Sequence, residues 1–343
     1  MTASAPTLLS VRDLQVHFPR KRSSWFKAAE VVKAVDGVSF DLARGRTLAI
    51  VGESGSGKTT TALSLMRLAP LTAGSVWLHD LALHQIEGDA LRQARRRVQI
   101  IFQDPYSSLN PRQRVGDAVR SPLDLMQIGT PQSRQARVDE LFEQVGLRPE
   151  QQHLFPHQFS GGQRQRINIA RALATHPDLL VCDEPVSALD VAIRAQILNL
   201  LVRLQKELGL SYLFISHDMA VVEHLCDEVA VMYLGQIVER APRHTFFAAP
   251  LHPYSAALMA AVPTVRGGRD RAAQRVRLQG DPPSPIHPPP GCRFASRCPV
   301  AEAACHIELP PLREVMPDHW VRCRRVQVHG GVASPLMPLA PVA

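Results

Sequence analysis

The first residues that could do chemistry form a glycine-rich segment near the N-terminus. Its sequence, Gly52-Glu53-Ser54-Gly55-Ser56-Gly57-Lys58-Thr59, fits the pattern G-x-x-x-x-G-K-[ST]. Small residues let backbone N–H groups surround phosphate oxygens, and the N-terminus of a following helix adds a positive dipole. Lys58 would contact the β- and γ-phosphates, and the Thr59 hydroxyl would bind magnesium. The segment predicts a nucleotide-binding loop formed by Ser54, Gly55, Ser56, Gly57, Lys58, Thr59 and Thr60.

Two adjacent carboxylates follow an apolar run farther along the chain. Residues 179–182 are apolar, and Asp183 and Glu184 come next. A carboxylate at the C-terminal end of a buried strand faces the crevice in which α/β sheets bind ligands, so Asp183 is predicted to join the magnesium shell. Glu184 is placed to polarise the attacking water as a general base. Together with the phosphate loop, the pair predicts hydrolysis of a nucleoside triphosphate.

A second candidate anion site is Phe159-Ser160-Gly161-Gly162-Gln163, directly before a helical pattern over 164–174. A serine hydroxyl and glycine amides at a helix N-terminus suit a phosphate group. Here the sequence resembles the ATP-binding cassette (ABC) family, whose signature motif has leucine in place of Phe159. The resemblance implies that this segment closes over ATP held by the phosphate loop of a partner subunit. The residues assigned to that role are Ser160, Gly161, Gly162 and Gln163.

Further residues resemble functional positions of the family, in the family's order along the chain. Gln103 resembles the glutamine that couples magnesium and water to the membrane subunits, and is assigned to the magnesium and nucleotide site. Asp190 ends a segment that resembles the loop crossing the dimer interface, and His217 resembles the switch histidine that contacts the γ-phosphate. Phe18 stands where the family places an aromatic that stacks on adenine. Phe18 is also explained as a core aromatic, and Trp25 and Phe26 are rival stacking candidates.

Three more segments resemble the ATPase subunits of dipeptide and oligopeptide importers: residues 103–111, Leu251-His252-Pro253-Tyr254, and residues 280–285. The polar insertion between Phe18 and Val32 resembles the second of the two ATPase types in such systems. Nickel and glutathione importers share these segments and remain alternatives. The resemblance implies two integral membrane permease subunits, a related second ATPase subunit forming a heterodimer, and an extracytoplasmic substrate-binding protein that acts indirectly.

Four cysteines, Cys292, Cys298, Cys305 and Cys323, lie close together near the C-terminal end. Four thiolates are able to hold a [4Fe-4S] cluster or a structural zinc ion. Zinc sites usually contain a C-x2-4-C pair, which this spacing lacks, and the tail of the importers that the chain resembles is associated with a cluster. The prediction is a [4Fe-4S] cluster, with zinc or unliganded thiols as alternatives. His306 and His319 are rival ligands, whereas Cys182 and Cys226 are expected to serve packing.

The elements that must position these residues follow from the hydrophobic pattern. Alternating runs are typical of half-buried strands, and continuous apolar runs separated by a helical pattern are typical of a parallel sheet covered on both faces. The predicted strands cover residues 8–16, 34–42, 46–51, 98–102, 179–182 and 212–215. The predicted helices cover residues 59–68, 137–145, 164–174 and 191–208.

The predicted fold class is α/β, a P-loop nucleoside triphosphatase core of ABC type with a mixed or parallel sheet, a helical subdomain and a cysteine-rich C-terminal extension. The N-terminal part of the nucleotide-binding domain is expected over 1–104, the helical subdomain with the signature motif over 105–175, and the C-terminal part of the core over 176–240. The importer extension with the four-cysteine site is expected over 241–329, and a disordered tail over 330–343.

The composition limits the choice of partner less than the motifs do. The 343 residues carry a net charge of +8, which suits an anionic partner but does not distinguish nucleotide, nucleic acid and membrane surface. The apolar runs fall short of the roughly 18 residues needed to span a bilayer, and residues 1–10 lack the features of a signal peptide.

The sequence therefore predicts an ATP-binding and ATP-hydrolysing subunit, peripheral on the cytoplasmic face of the cell (inner) membrane, that energises an importer of dipeptides or oligopeptides. The expected cofactors are ATP, Mg²⁺ and the cluster. A soluble cassette ATPase acting on nucleic acid or ribosomes is the alternative from another class. It is disfavoured because the chain lacks a long heptad insertion and a tandem second cassette, so no nucleic-acid partner is expected.

Overall fold

The computed structural model describes residues 6–20, 30–261, 280–330 and 332–336. The rival stacking aromatics Trp25 and Phe26, and residues 331 and 337–343 of the expected C-terminal tail, lie outside the described residues. The chain divides into two compact units. The first unit comprises the segment up to Leu9, Leu42–Thr47 and Trp77–Ile215, and the second comprises Ser10–Asp41, Leu48–Val76 and the chain from Ser216 onward.

The described part of the chain contains both strands and helices. The strands are β1 (Thr7–Pro19), β2 (Val31–Ala43), β3 (Thr47–Val51), β4 (Ala73–Leu78), β5 (Leu81–Ala82), β6 (Val98–Ile101), β7 (Leu179–Asp183), β8 (Ser211–Ser216), β9 (Glu228–Tyr233), β10 (Gln236–Pro242), β11 (Arg313–Met316), β12 (His319–Val321), β13 (Val328–His329) and β14 (Val332–Ala333). The helices are α1 (Lys58–Leu65), α2 (Gly88–Arg97), α3 (Val115–Leu125), α4 (Pro131–Gln144), α5 (Gly161–Leu173), α6 (Val191–Leu208), α7 (Met219–Leu225), α8 (Arg243–Ala248) and α9 (Pro253–Ala260).

In the first unit, β6, β7 and β8 form adjacent parallel strands. Cys182 of β7 pairs with Ile101 of β6 on one side and with Phe214 of β8 on the other. Every residue of β7 and β8 is buried, as expected for strands covered on both faces. Helices α3, α4 and α5 pack against one another between β6 and β7 in the chain. Helix α6 ends at Leu208, where Gly209 adopts a left-handed φ of 65°.

In the second unit, β3 runs parallel to β9, and β10 then continues antiparallel beside β9. The C-terminal strand β12 adds to the far side of β10, with Glu239 opposite Val321, and β11 adds to β12. Strands β2, β1 and β4 lie side by side in a separate sheet. A small apolar core of the C-terminal segment is formed by Leu251, Val315, Val321, Val326 and Ala333.

The α/β class with a mixed sheet is confirmed, and the predicted strands and helices are present with shifted ends. Helix α1 begins at Lys58 and ends at Leu65, earlier than the pattern indicated, because Arg67 takes a left-handed φ of 55°. Cys226 directly follows the last residue of α7. Both Cys182 and Cys226 are buried, as packing residues should be. Among the described residues, no helix has the length and apolarity to cross a membrane.

Candidate functional site

The phosphate loop connects β3 to α1 in the second unit, and its backbone lies too close to its surroundings for side chains at two glycines. Gly52 has φ 155° and Gly57 has φ 105°. A Cβ at Gly52 would lie 2.1 Å from the carbonyl oxygen of Met232, and one at Gly57 would lie 2.2 Å from that of Ala34. The close approach therefore requires glycine at both positions, and Gly57 is one of the residues predicted to form the nucleotide-binding loop.

Three polar residues of the predicted nucleotide site, Ser56, Lys58 and Thr59, lie in this loop or directly after it. The Lys58 side chain is buried, and its ammonium donates to the carbonyl oxygens of Gly52 and Glu53 at 2.9 Å each. The Ser56 hydroxyl is buried and has no hydrogen-bond partner within the described protein. Thr59 at the start of α1 is exposed. A buried ammonium, an unpartnered hydroxyl and an exposed hydroxyl at a helix N-terminus suit a phosphate group with its magnesium ion.

Two residues of the C-terminal region hold Glu53, the second residue of the loop. The Tyr254 hydroxyl accepts from the Glu53 N–H at 2.8 Å. The Arg297 guanidinium donates twice to the Glu53 carboxylate, at 2.9 and 3.2 Å. Burial raises the pKa of Tyr254, so its phenol stays neutral and able to accept this hydrogen bond. Sequence reasoning missed Arg297, because no spacing rule connects it with a loop 244 residues earlier.

In the first unit, the structure brings Gln103 and Glu184 together. The Gln103 side-chain amide donates to the Glu184 carboxylate at 3.0 Å. Glu184 follows β7 with a left-handed φ of 48°, and its backbone N–H donates to the carbonyl of Ile215 at 3.0 Å. Asp183, one residue earlier, ends β7 and is only 4% exposed. The arrangement orients a carboxylate that can accept a proton from water, next to a buried carboxylate at a strand end.

The glycine-serine segment begins helix α5. Ser160 caps the helix by accepting from the Gln163 N–H, and the Gln163 side chain accepts in return from the Ser160 N–H at 3.0 Å. The backbone is tightly enclosed, because a Cβ at Gly162 would lie 2.4 Å from the Ile193 side chain. The ring of Tyr106 lies under the guanidinium of Arg164 at 4.5 Å. Ser160 itself is exposed and presents its hydroxyl at a helix N-terminus.

The remaining predicted residues are placed at solvent-accessible positions. Asp190 is exposed immediately before α6, where it occupies the helix N-cap position. His217 is exposed after the end of β8 and belongs to the second unit. Phe18, near the end of β1, has 36% of its surface exposed, so it is not a core aromatic. Its exposure is compatible with stacking on a base, and leaves that role a prediction.

The four C-terminal cysteines line one cavity of the second unit. The cavity has a volume of about 20 Å³, room for about one water molecule, and Phe294 and His252 also line it. All four thiols are free, and the Cys292 N–H donates to the Cys305 carbonyl at 2.8 Å. Burial raises the pKa of Cys298 to about 11, so the free thiol is protonated at neutral pH.

Among the residues that the structure describes, no group of three or more histidine, cysteine, aspartate or glutamate side chains is arranged to hold a metal ion. The predicted [4Fe-4S] cluster stays a prediction. Of the two rival histidines, His319 is fully buried and donates from Nε2 to Glu239 at 2.7 Å. Neither His319 nor His306 lines the cysteine cavity.

Glu239 joins the Leu251-His252-Pro253-Tyr254 segment to the C-terminal strands. Its carboxylate is fully buried and accepts from the N–H groups of Leu251 and His252 at 2.7 and 2.8 Å, as well as from His319. Burial lowers the pKa of His252 to about 4, and its neutral ring accepts from the Tyr254 N–H at 3.1 Å. A buried carboxylate with three donors fixes the segment that places Tyr254 against the phosphate loop.

Comparisons with known proteins agree with these features. The sequence pattern described as ABC transporter matches residues 35–187, and the one described as oligopeptide/dipeptide transporter, C-terminal region, matches residues 238–305. The oligopeptide transport ATP-binding protein AppF of Bacillus subtilis is 45% identical over 94% of this chain and 98% of its own length. The di/tripeptide transport ATP-binding protein DppF of Pseudomonas aeruginosa is 46% identical over 94% of this chain and 98% of its own length.

A similar solved structure is a dimeric ATP-binding cassette in a post-hydrolysis state bound to ADP and phosphate. It is 26% identical, covers 69% of this chain and 99% of its own, and gives a TM-score of 0.61.

Proposed function

The chain belongs to the ATP-binding cassette family, among the ATP-binding subunits of oligopeptide and dipeptide importers, and we propose that it hydrolyses ATP to drive the import of short peptides. The observation that carries this function is the geometry of the phosphate loop. A Cβ at Gly52 or Gly57 would lie within about 2.2 Å of a backbone carbonyl oxygen, and the Lys58 side chain of the same loop is buried. Such a subunit is peripheral on the cytoplasmic face of the membrane and works with membrane permease subunits.

The bound nucleotide would be held mainly by the phosphate loop. Lys58 would exchange its bonds to the loop carbonyls for the β- and γ-phosphate oxygens, and the Ser56 hydroxyl would gain a partner. The Thr59 hydroxyl, Asp183 and Gln103 would hold magnesium, which neutralises charge on the transferred phosphoryl group. The exposed ring of Phe18 would stack on adenine. Positioning and electrostatics therefore supply most of the catalysis.

The attacking water would be oriented by Glu184. The 3.0 Å hydrogen bond from Gln103 supports this role, since it orients the Glu184 carboxylate directly after Asp183, a proposed magnesium ligand. His217 would contact the γ-phosphate and sense its presence. Loss of the γ-phosphate after hydrolysis would then break contacts that hold two ATPase subunits closed over the nucleotide.

A second ATPase subunit would complete each site. The chain has one phosphate loop and one signature segment, and the exposed Ser160 hydroxyl at the start of α5 suits the γ-phosphate held by another subunit. Asp190, exposed at the N-terminus of α6, would lie at the dimer interface. A related but different ATPase chain, in a heterodimer, is the proposed partner, and an extracytoplasmic binding protein would deliver the peptide.

The four-cysteine cavity is proposed to hold a [4Fe-4S] cluster, with zinc as the alternative. The observation that supports either centre is that all four cysteines line one cavity and none of them is in a disulfide. A metal cation would stabilise the thiolates that burial otherwise disfavours. The absence of a closely spaced C-x2-4-C pair favours the cluster over zinc. The centre would fix the fold of the extension rather than take part in hydrolysis.

The function is tested with the chain reconstituted with its permease subunits and partner ATPase in vesicles. Glu184→Gln is expected to retain ATP and abolish turnover, and Lys58→Ala to weaken nucleotide binding, while Glu143→Gln, at an exposed position of α4, serves as the matched control. Peptide uptake by the wild type should require ATP. ATP turnover at the wild-type rate by the Glu184→Gln chain would remove the assigned role of that carboxylate.

A further inference from the structure

The phosphate loop carries a negative charge of its own at Glu53, in a segment built to bind an anion. The Glu53 side chain is 28% exposed, and the Arg297 side chain that binds it is 7% exposed. Two parallel N–H···O bonds between a guanidinium and a carboxylate give both orientation and charge compensation. Without Arg297, the Glu53 carboxylate would repel the phosphates of a nucleotide from within the loop itself.

Arg297 is supplied by the segment that also supplies two of the four cysteines. It is the last residue of a 3-10 turn, Ala295–Arg297, between Cys292 and Cys298. The Ala295 N–H donates to the Cys292 carbonyl at 3.0 Å, and the Cys298 N–H donates to the Ala295 carbonyl at 3.3 Å. The conformation that aims Arg297 at Glu53 is therefore fixed at both ends by cysteines that line the cavity.

Aromatic packing connects the cysteine cavity to the phosphate loop. Phe294 lines the cysteine cavity and packs edge-on against Tyr233 at a ring distance of 5.4 Å. Tyr233 packs against Tyr254 at 4.7 Å, and its hydroxyl accepts from Arg297 at 3.3 Å. Tyr254 in turn accepts from the Glu53 N–H. The buried rings of Phe294, Tyr233 and Tyr254 therefore connect the cysteine cavity to the phosphate loop, and Arg297 contacts the second of them.

We propose that Arg297 is a positioning residue for ATP binding: by neutralising and orienting Glu53, it makes the affinity of the phosphate loop depend on the four-cysteine module. The inference rests on the proposed function, because it takes residues 52–59 as the site of the ATP phosphates. By thermodynamic linkage, ATP bound at the phosphate loop and a ligand bound by the four cysteines each raise the affinity of the other site, through the Arg297–Glu53 pair.

The test measures the dissociation constant of a fluorescent ATP analogue with Mg²⁺ for the full chain. Arg297→Gln is expected to raise the dissociation constant about tenfold, which corresponds to about 1.4 kcal/mol. The double variant Arg297→Gln/Glu53→Gln should return to within about threefold of the wild type, because the uncompensated charge is gone. Cys298→Ser should weaken binding and be rescued by Glu53→Gln in the same way.

The matched control is Arg12→Gln, which also removes an arginine that donates two hydrogen bonds to one carboxylate, that of Asp41, but does not line the cysteine cavity. It should bind the analogue as the wild type does. If Arg297→Gln does not fold, Arg297→Lys retains the charge and is expected to bind with intermediate affinity.

A general loss of stability in the C-terminal region would weaken binding without rescue by Glu53→Gln, and that result would overturn the proposal, as would wild-type affinity in Arg297→Gln. Failure of the wild-type chain to bind the analogue would instead overturn the proposed function.

Discussion

The side-chain amide of Gln103 donates to the carboxylate of Glu184 over 3.0 Å, across the neighbouring strand ends of β6 and β7. The two residues are 81 positions apart in the chain, and the parallel register of the strands brings their C-terminal ends to one edge of the sheet. A change at one residue is therefore expected to act through the other.

Gln103→Leu keeps much of the side-chain volume but removes both the donor to Glu184 and the side-chain oxygen proposed to bind magnesium. The turnover number for ATP is expected to fall by at least about tenfold, because the carboxylate loses its fixed orientation and magnesium loses one ligand. Steady-state ATPase assays of the reconstituted transporter measure it. Gln99→Leu on β6, which removes an amide that donates to the Arg95 carbonyl, is the control and should leave turnover unchanged. Equal rates for both variants would contradict the orienting role.

Alanine substitutions at two glycines of the phosphate loop distinguish the cost of backbone strain from the cost of close packing. Gly55 and Gly57 both have positive φ, but a Cβ at Gly55 would meet nothing within 4 Å, whereas one at Gly57 would approach the Ala34 carbonyl oxygen to 2.2 Å. Gly55→Ala is expected to lower the free energy of unfolding by about 1–2 kcal/mol. Gly57→Ala should lower it by about 1–3 kcal/mol more. Chemical denaturation measures both values, and equal losses would contradict the close approach.

The stability of the chain should depend on pH through His252. Its pKa is lowered to about 4 by burial, against an ordinary value of 6.5, so the unfolded chain binds its proton more readily than the folded chain. The contribution to stability is present above pH 6.5 and is lost as the pH falls from 6.5 toward 4, by up to about 3 kcal/mol.

His252→Asn keeps an acceptor for the Tyr254 N–H and removes the titration. Unfolding free energies of both chains, measured between pH 7 and 4, should differ in slope over this range. Parallel curves would show that His252 is not the group responsible.

The metal content of anaerobically purified chain tests the cysteine cavity. About four iron and four sulfide per chain are expected for a cluster, with a visible absorption band. Cys298→Ser should lose most of both, whereas Cys226→Ser, which removes a buried thiol outside the cavity, should keep them. One zinc without iron would contradict the cluster and leave the ATPase untouched.

Local patterns predicted the nucleotide loop, the buried strands β7 and β8 and helix α6 because each is determined by residues near in sequence. The glycine spacing of residues 52–59 and the apolar periodicity of 191–208 need no distant partner. The addition of β12 to β10 has no such local signal. It depends on Val321 lying opposite Glu239, 82 residues away, and on His319 finding a buried carboxylate.

The contacts that hold Glu53 of the phosphate loop could not be predicted either, because they too join residues far apart in the sequence. Arg297 and Tyr254 are unremarkable in sequence, and only the folded chain shows that both reach Glu53. The sequence placed the four cysteines in one group, and the folded chain lines one cavity with them, yet residue types alone do not distinguish an iron cluster, a zinc ion and free thiols.

The strands β11 and β12 also protect the sheet from unwanted association. They cover the side of β10 that would otherwise present a row of unpaired backbone N–H and C=O groups, the usual template for pairing with another chain. A chain shortened before residue 313 would keep its nucleotide loop but expose β10 as an open sheet edge. The C-terminal extension thus also pairs the backbone of β10, which would otherwise be the last strand of this sheet.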